Sequence, residues 1–309
     1  MKKIILFCVI VIIGILIIIS LAKNSTTATK KESLVIKGSD TEVQLVSNLV
    51  ESFLEKNPGA DISVTGGGSG VGIASLLNGE IDLANSSRKM EDKELEQGKS
   101  RGLEVQQFIL AVDGLSIIVH PSNPLLHLSM EQIAKIFKGT ITNWKEVGGK
   151  NGEIVLYGRQ STSGTYTFFR NSVLNDDYSP KMRNMEGNQA IVDAVIADKN
   201  GIGYVGVGYV KDVNNQPRSD IRIIPVTKNS DGKLAISPLD SEAVKLGKYP
   251  IARPIFQYLP LLPKKNSLLE AFLRFEMSEE GQEIIKKGGF FSLTDDYKKE
   301  NQELLKKIK

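Results

Sequence analysis

Apolar residues recur at three- and four-residue steps through EVQLVSNLVESFLEKN, where Val43, Val46, Leu49, Val50, Phe53 and Leu54 share one side of a helix and Asn57-Pro58-Gly59 ends it. The flanking runs SLVIKG and DISVTGGG have strand character, and VGIASLLNGE and IDLANSS repeat the change from helical period to strand. This alternation predicts parallel α/β layers. From Leu103 to His120, LEVQQFILAVDGLSIIVH predicts two apolar strands joined around Asp113-Gly114. A second α/β region follows in MEQIAKIF, EIVLYGRQ, YTFFRNSVL and GIGYVGVGYV. YPIARPIFQYLP then reads as a strand interrupted by proline, and SLLEAFLRFEM and SEEGQEIIKK read as helices.

The beginning of the chain is different in kind. Lys2 and Lys3 precede an unbroken apolar run from Ile4 to Ile19, and a polar Ser/Thr/Lys linker occupies residues 23–32. Residues 1–22 are an export segment, either a cleaved signal or an uncleaved anchor. The single cysteine, Cys8, lies inside that run, too near the start for a lipid-attachment leader, and reads as apolar filler. The rest of the chain therefore has neither disulfides nor thiol ligands.

Composition adds bounds. With 309 residues, 41% hydrophobic and 24% charged, the chain can form two domains with cores of their own. The net charge of +3 owes part of its excess to Lys2, Lys3 and the closing KKENQELLKKIK, which reads as a solvated, frayed helix. No basic stripe supports nucleic-acid binding.

One local design occurs three times. Gly38-Ser39-Asp40-Thr41, Gly66-Gly67-Gly68-Ser69-Gly70 and Ser163-Gly164-Thr165 each follow a strand and open a helix. The first N–H groups of a helix lack intrahelical partners, small residues let an anion approach them, and Ser or Thr adds a hydroxyl donor. Each Ser or Thr could instead simply cap its own helix. Arg159, four residues before Ser163, adds a fork able to hold two oxygens of a tetrahedral oxyanion, although a surface or inter-lobe ion pair is open to it as well. A hydrogen bond to a charged group contributes about 1.5–3 kcal/mol and micromolar binding needs about 8, so several donors must converge.

Other chemistries lack their parts. GGGSGVG is not in the GxGxxG register, and no Gly-Lys-Ser/Thr stands at Walker spacing. Ser163 has no glycine two residues before it to make a nucleophile elbow, and His120 and His127 read as structural or surface groups. Neither a cysteine pair nor HExxH points to a metal.

In order and spacing, GSDT, GGGSGVG, DLANSSR, RQSTSGT, GIGYVGVGYV, YPIARPIFQYL and FLRFEMSEEGQEIIKKGGFFSL resemble the phosphate-binding proteins of ABC importers, the PstS type of periplasmic binding protein. The likeness runs from about Ser33 to Leu293. It implies a two-lobed α/β fold of the type II periplasmic-binding-protein kind, each lobe a mixed sheet flanked by helices, with the ligand cleft between. The expected division is 33–112 with 251–295 for lobe 1, 113–250 for lobe 2 and 296–309 as a charged tail. By the resemblance Ser39, Thr41, Ser69 and Ser87 bind phosphate from the first lobe, and Arg159, Ser163, Gly164 and Thr165 from the second. It further implies a monomer without cofactor or metal, not an enzyme, working outside the cytoplasmic membrane with an ABC permease and ATPase.

The chain departs from the family at one place. Many members carry an aspartate five residues beyond the acid that here is Asp82, and it accepts the proton of hydrogen phosphate; this chain has Ser87, followed by Arg88. Asp40, inside the first binding turn, is the candidate replacement acceptor, with an N-cap of the following helix as its other reading. Arg88 is expected to add a second cation or to brace Asp82 or Glu91. Another tetrahedral oxyanion such as sulfate, a membrane-anchored phosphate sensor and, with least support, a phosphoester hydrolase stay open as alternatives.

Overall fold

Two five-stranded sheets organise the molecule, each assembled from distant parts of the chain. The computed structural model describes residues 32–229 and 233–308. The expected export segment, with Cys8, and nearly all of the expected linker lie outside the described residues.

In the first lobe, β1 (Ser33–Gly38), α1 (Val43–Lys56), β2 (Asp61–Thr65), α2 (Ser69–Leu77), β3 (Leu83–Ser86), α3 (Asp92–Ser100) and β4 (Gln106–Gly114) follow one another. β1 pairs with β2 and β3 in parallel, as the alternating periods predict. The sheet order is β2-β1-β3-β12-β4, where β12 (Ala252–Leu259) returns from far along the chain and lies antiparallel to both neighbours. Pro254 lies within β12 opposite Val112 of β4, and pairing to β3 begins only at Phe256, so the proline sits where one edge of the strand is unpartnered. α1 buries Leu45, Val46, Leu49, Val50 and Phe53, whereas Val43 and Leu54 are only half-buried at the margin. Phe53 meets Phe272 of the later helix Leu268–Met277 edge to face at 5.4 Å. On the opposite side, Ile73, Leu76 and Leu77 of α2 pack with Ile109, Phe256 and Tyr258.

The two strands expected around Asp113-Gly114 exist but do not pair with each other. β4 ends at Gly114, Leu115 crosses, and β5 (Ser116–Val119) joins the second sheet. That sheet runs β10-β5-β9-β7-β8, with β7 (Val155–Arg159), β8 (Arg183–Met185), β9 (Gly201–Val205) and β10 (Arg222–Ile224), while the short β6 (Leu128–Ser129) and β11 (Val226–Thr227) pair with each other outside it. β7 lies parallel to β8 and β9, while β5 is antiparallel to β9 and β10. Tyr249 packs fully buried at the return crossing, its hydroxyl donating to the Leu115 carbonyl at 2.7 Å.

The closing charged stretch is not a solvated, frayed helix. The helix Asp295–Lys306 buries Asn301, Leu304 and Leu305 against the first sheet. Asn301 accepts from the Ile109 amide at 2.9 Å and donates to the Ile109 carbonyl at 2.8 Å, so its side-chain amide takes the place of a neighbouring strand on the edge strand β4. The charged residues Lys299, Glu300, Glu303 and Lys306 line the outer face of a docked amphipathic helix.

Candidate anion site between the lobes

Three chain turns meet where the lobes face each other. The first joins β1 to α1 through Ser39, Asp40 and Thr41; the second opens α2 at Ser69; the third leaves β7 at Arg159 and opens the helix Gly164–Phe169. Gly68 precedes Ser69 with φ +96°, a conformation that favours glycine. Thr41 Oγ1 lies 3.0 Å from Thr165 Oγ1, Ser87 Oγ 3.2 Å from Thr165 Oγ1, and Ser69 Oγ 3.3 Å from Ser87 Oγ. Gly164 is seated against this group: a Cβ there would stand 2.3 Å from Ser69 Oγ and 2.9 Å from Ser87 Oγ. Ser39, Thr41, Ser69, Ser87, Arg159, Ser163 and Thr165 are all at most 2% exposed. Residues more than a hundred positions apart thus share one buried point.

The hydroxyls are oriented as well as gathered. Ser69 Oγ accepts the Ser87 amide at 3.0 Å, and Ser163 Oγ accepts the Tyr166 amide at 3.4 Å as the N-cap of its helix. Thr41 Oγ1 accepts from Asn188 Nδ2 at 3.4 Å, with Asn188 Oδ1 taking the Gly206 amide at 3.3 Å. Thr165 Oγ1 accepts from Arg253 Nη2 at 3.0 Å. Each of these partners is an N–H that can only donate, so each takes a lone pair of its hydroxyl, and the hydroxyl protons are left to one another or to an anion that enters among them. The arrangement is rich in donors and suits an anion.

Arg159 provides a cation from the second lobe. Its backbone amide donates to the Tyr204 hydroxyl at 3.2 Å, and Tyr204 is stacked on Phe169 with ring centroids 4.2 Å apart, which fixes the end of β7 against the helix Gly164–Phe169. Burial pushes the Tyr204 phenol up to about 12, so it remains protonated. Arg159 Nη2 donates to Asp40 Oδ2 at 2.5 Å, and its Nε is buried with no partner among the described residues. Buried donors of this kind are rare unless a ligand or water completes them. The Ser39 hydroxyl faces the buried Glu42 carboxyl.

Asp40 and Arg88 depart from part of what was expected of them. The N-cap of α1 is Glu42, not Asp40; Asp40 instead accepts the Gly67 amide at 2.8 Å through Oδ1 and holds Arg159 through Oδ2. Arg88 braces neither Asp82 nor Glu91. Its Nη1 and Nη2 grip both oxygens of Glu94 at 2.7 Å, and Asp82 accepts the Val35 amide instead. Glu94 also accepts the Glu91 amide at the start of α3, so Arg88 anchors the segment that presents Ser87.

Asp113, Arg253, Asn188 and Thr162 were not anticipated. Arg253 Nε and Nη2 donate to Asp113 Oδ2 at 2.9 and 2.8 Å, and Nη1 donates to the Ser87 carbonyl at 2.9 Å. Asp113 Oδ1 accepts the Val207 amide at 2.8 Å. Both side chains are buried, and the Arg253 guanidinium lies 5.0 Å from the Phe168 ring centroid. Their sequence signal was a lone charge inside each of two apolar strands, FILAVDG and IARPIF.

A profile of the PBP superfamily domain matches residues 23–280. The chain belongs to the PBP superfamily. It is 29% identical over 272 residues to the phosphate-binding protein PstS of Pseudomonas aeruginosa, covering 83% of this chain and 81% of that protein. PstS of Staphylococcus haemolyticus is 28% identical over 274 residues, covering 87% and 84%. Among solved structures, a Clostridium perfringens protein described as a phosphate ABC transporter substrate-binding protein, with phosphate bound, superposes with a TM-score of 0.73 at 28% identity, covering 85% of this chain and all of that one. The two-lobed architecture is shared with these superfamily structures.

Proposed function

We propose that the protein captures inorganic phosphate between its lobes outside the cytoplasmic membrane and delivers it to an ABC importer. The observation that carries this reading is the convergence of buried hydroxyls from both lobes, with Arg159, its Nε unpartnered among the described residues, held by Asp40 next to Thr41. The PstS relatives and the phosphate-bound structural neighbour support phosphate over other oxyanions.

Ser39, Thr41, Ser69 and Ser87 bind from the first lobe, and Arg159, Ser163, Gly164 and Thr165 bind from the second. The donors are split between lobes, so a bridging anion stabilises the closed form. No covalent step is involved. Residues 1–22 export the chain or hold it at the outer face of the membrane, and the partners are a permease and its ATPase, engaged by a monomer.

Isothermal titration of the full chain with phosphate and with sulfate tests this. Micromolar or tighter binding of phosphate, with sulfate at least tenfold weaker, is expected. No heat with phosphate, or a preference for sulfate, would overturn the reading.

A further inference from the structure

Arg253 is the second guanidinium at the site, and nothing it touches suggests a merely local role. It lies on β12 in the first lobe, 2% exposed, with Asp113 taking its Nε and Nη2. Asp113 occupies the last turn of β4 before the chain crosses to the second sheet, and its other oxygen takes the Val207 amide from that second lobe. Arg253 then reaches across: Nη2 donates to Thr165 Oγ1, and the guanidinium faces Phe168, both in the helix Gly164–Phe169. Toward its own lobe, Nη1 holds the carbonyl of Ser87. One ion pair therefore links the crossing strand, the second lobe and two of the hydroxyl residues of the site.

The consequence is chemical. Thr165 Oγ1 has two close hydroxyl neighbours, Thr41 and Ser87, each able to donate to it or to accept its proton. A guanidinium cannot accept, so its contact takes one lone pair of Thr165 Oγ1 and fixes where that oxygen sits, leaving its single proton for Thr41, Ser87 or a bound anion. Charge is balanced at the same time, since Arg253 is matched by Asp113 as Arg159 is by Asp40, and neither cation is left uncompensated in the closed interface.

We propose that Arg253, held by Asp113, is a positioning residue for anion binding: it sets Thr165 as a donor into the site and registers closure of the second lobe onto the first. This rests on the reading of the cleft as a phosphate site. Arg253 acts through Thr165, so its contribution disappears when Thr165 can no longer donate.

A double-mutant cycle on the full chain tests it, with inorganic phosphate as the titrant and the thermal midpoint without phosphate measured alongside. Arg253→Lys keeps the charge but loses the fork, and is expected to weaken phosphate about 10- to 100-fold. Thr165→Val is expected to weaken it by a similar factor, Thr165→Ser by less than about threefold, and Arg253→Lys with Thr165→Val by no more than Thr165→Val alone. If Arg253→Lys does not fold, the neutral pair Arg253→Gln with Asp113→Asn replaces it in the same cycle, avoiding a buried unmatched charge. Losses that multiply in the combined variant, or an Arg253 variant that binds like wild type, would overturn the proposal while leaving phosphate capture intact. Wild-type protein that does not bind phosphate would refute the functional reading, and this inference with it.

Discussion

The amide of Gly70 in the first lobe donates to the carbonyl of Thr162 in the second at 3.0 Å, so the lobes are joined backbone to backbone beside the anion site. Gly68, two residues earlier, makes this approach possible. A Cβ there would stand 2.6 Å from the Thr162 carbonyl oxygen, and φ is +96°. The obstructing atom is main chain and cannot rotate away. Gly68→Ala is therefore expected to hold the lobes apart and weaken phosphate at least tenfold. Small-angle scattering at saturating phosphate should show the variant larger than wild type; equal size and equal affinity would refute the steric argument.

Much of this was legible beforehand because it is written locally. The period of α1 and the small-residue turns ahead of Thr41, Ser69 and Thr165 are properties of a few adjacent residues, and the structure gathers those three hydroxyls around Ser87. What escaped is non-local. Asp113 and Arg253 stand 140 positions apart, and each looks like an anomaly in its own strand until β4 and β12 are seen to pair, with Arg253 opposite Asp113. Thr162 contributes a carbonyl, which no side-chain pattern can announce. Asn301 was hidden for a related reason: the charges around it suggested solvent, and only the bare edge of β4 explains why one amide is buried.

Asn301 supplies a stability prediction. Its side chain satisfies both the amide and the carbonyl of Ile109, and it is itself fully buried. Asn301→Ala leaves two buried main-chain groups unpaired, at a cost of about 2–4 kcal/mol. Urea denaturation should show a lower midpoint with little change in slope. Phosphate affinity of the folded fraction should be unaffected, since the helix Asp295–Lys306 packs on the edge strand of the first sheet. A midpoint within error of wild type would show that water replaces the amide at no cost.

Glu276 makes stability depend on pH. It is 1% exposed, accepts from Gln257 Nε2 at 2.9 Å through one oxygen, and its other oxygen has no partner among the described residues. Burial raises its pKa from an ordinary 4.5 to about 8. An acid whose folded pKa is raised keeps its full contribution below the unfolded pKa. As pH rises, the unfolded state releases the proton first, so stability falls from about pH 4.5 until the folded group also ionises near 8. Glu42, fully buried, is shifted in the same direction by burial. Relative to wild type, Glu276→Gln should gain stability progressively across that window, by roughly 3–5 kcal/mol at its upper end, and the difference should then level off. A difference that does not vary with pH would mean that Glu276 is not protonated in the folded protein.

We propose that Asp40 sets how this site tells phosphate from sulfate. Its carboxylate already serves the Gly67 amide and Arg159, yet it remains the acidic group joined to the site's cation, and Ser87 offers only a hydroxyl. At neutral pH hydrogen phosphate brings a proton that a carboxylate can accept, whereas sulfate brings none and is repelled. Two roles for Asp40 give different outcomes in Asp40→Asn. If it only restrains Arg159, both anions lose affinity by the same factor. If it also accepts the phosphate proton, phosphate weakens at least tenfold while sulfate holds or improves, and the ratio of the two affinities collapses. The second outcome is expected, because the carboxylate has four lone-pair positions and the two hydrogen bonds it accepts leave room for another. Titrating wild type and variant with both anions in the same buffer separates the cases, and parallel losses would assign selectivity elsewhere.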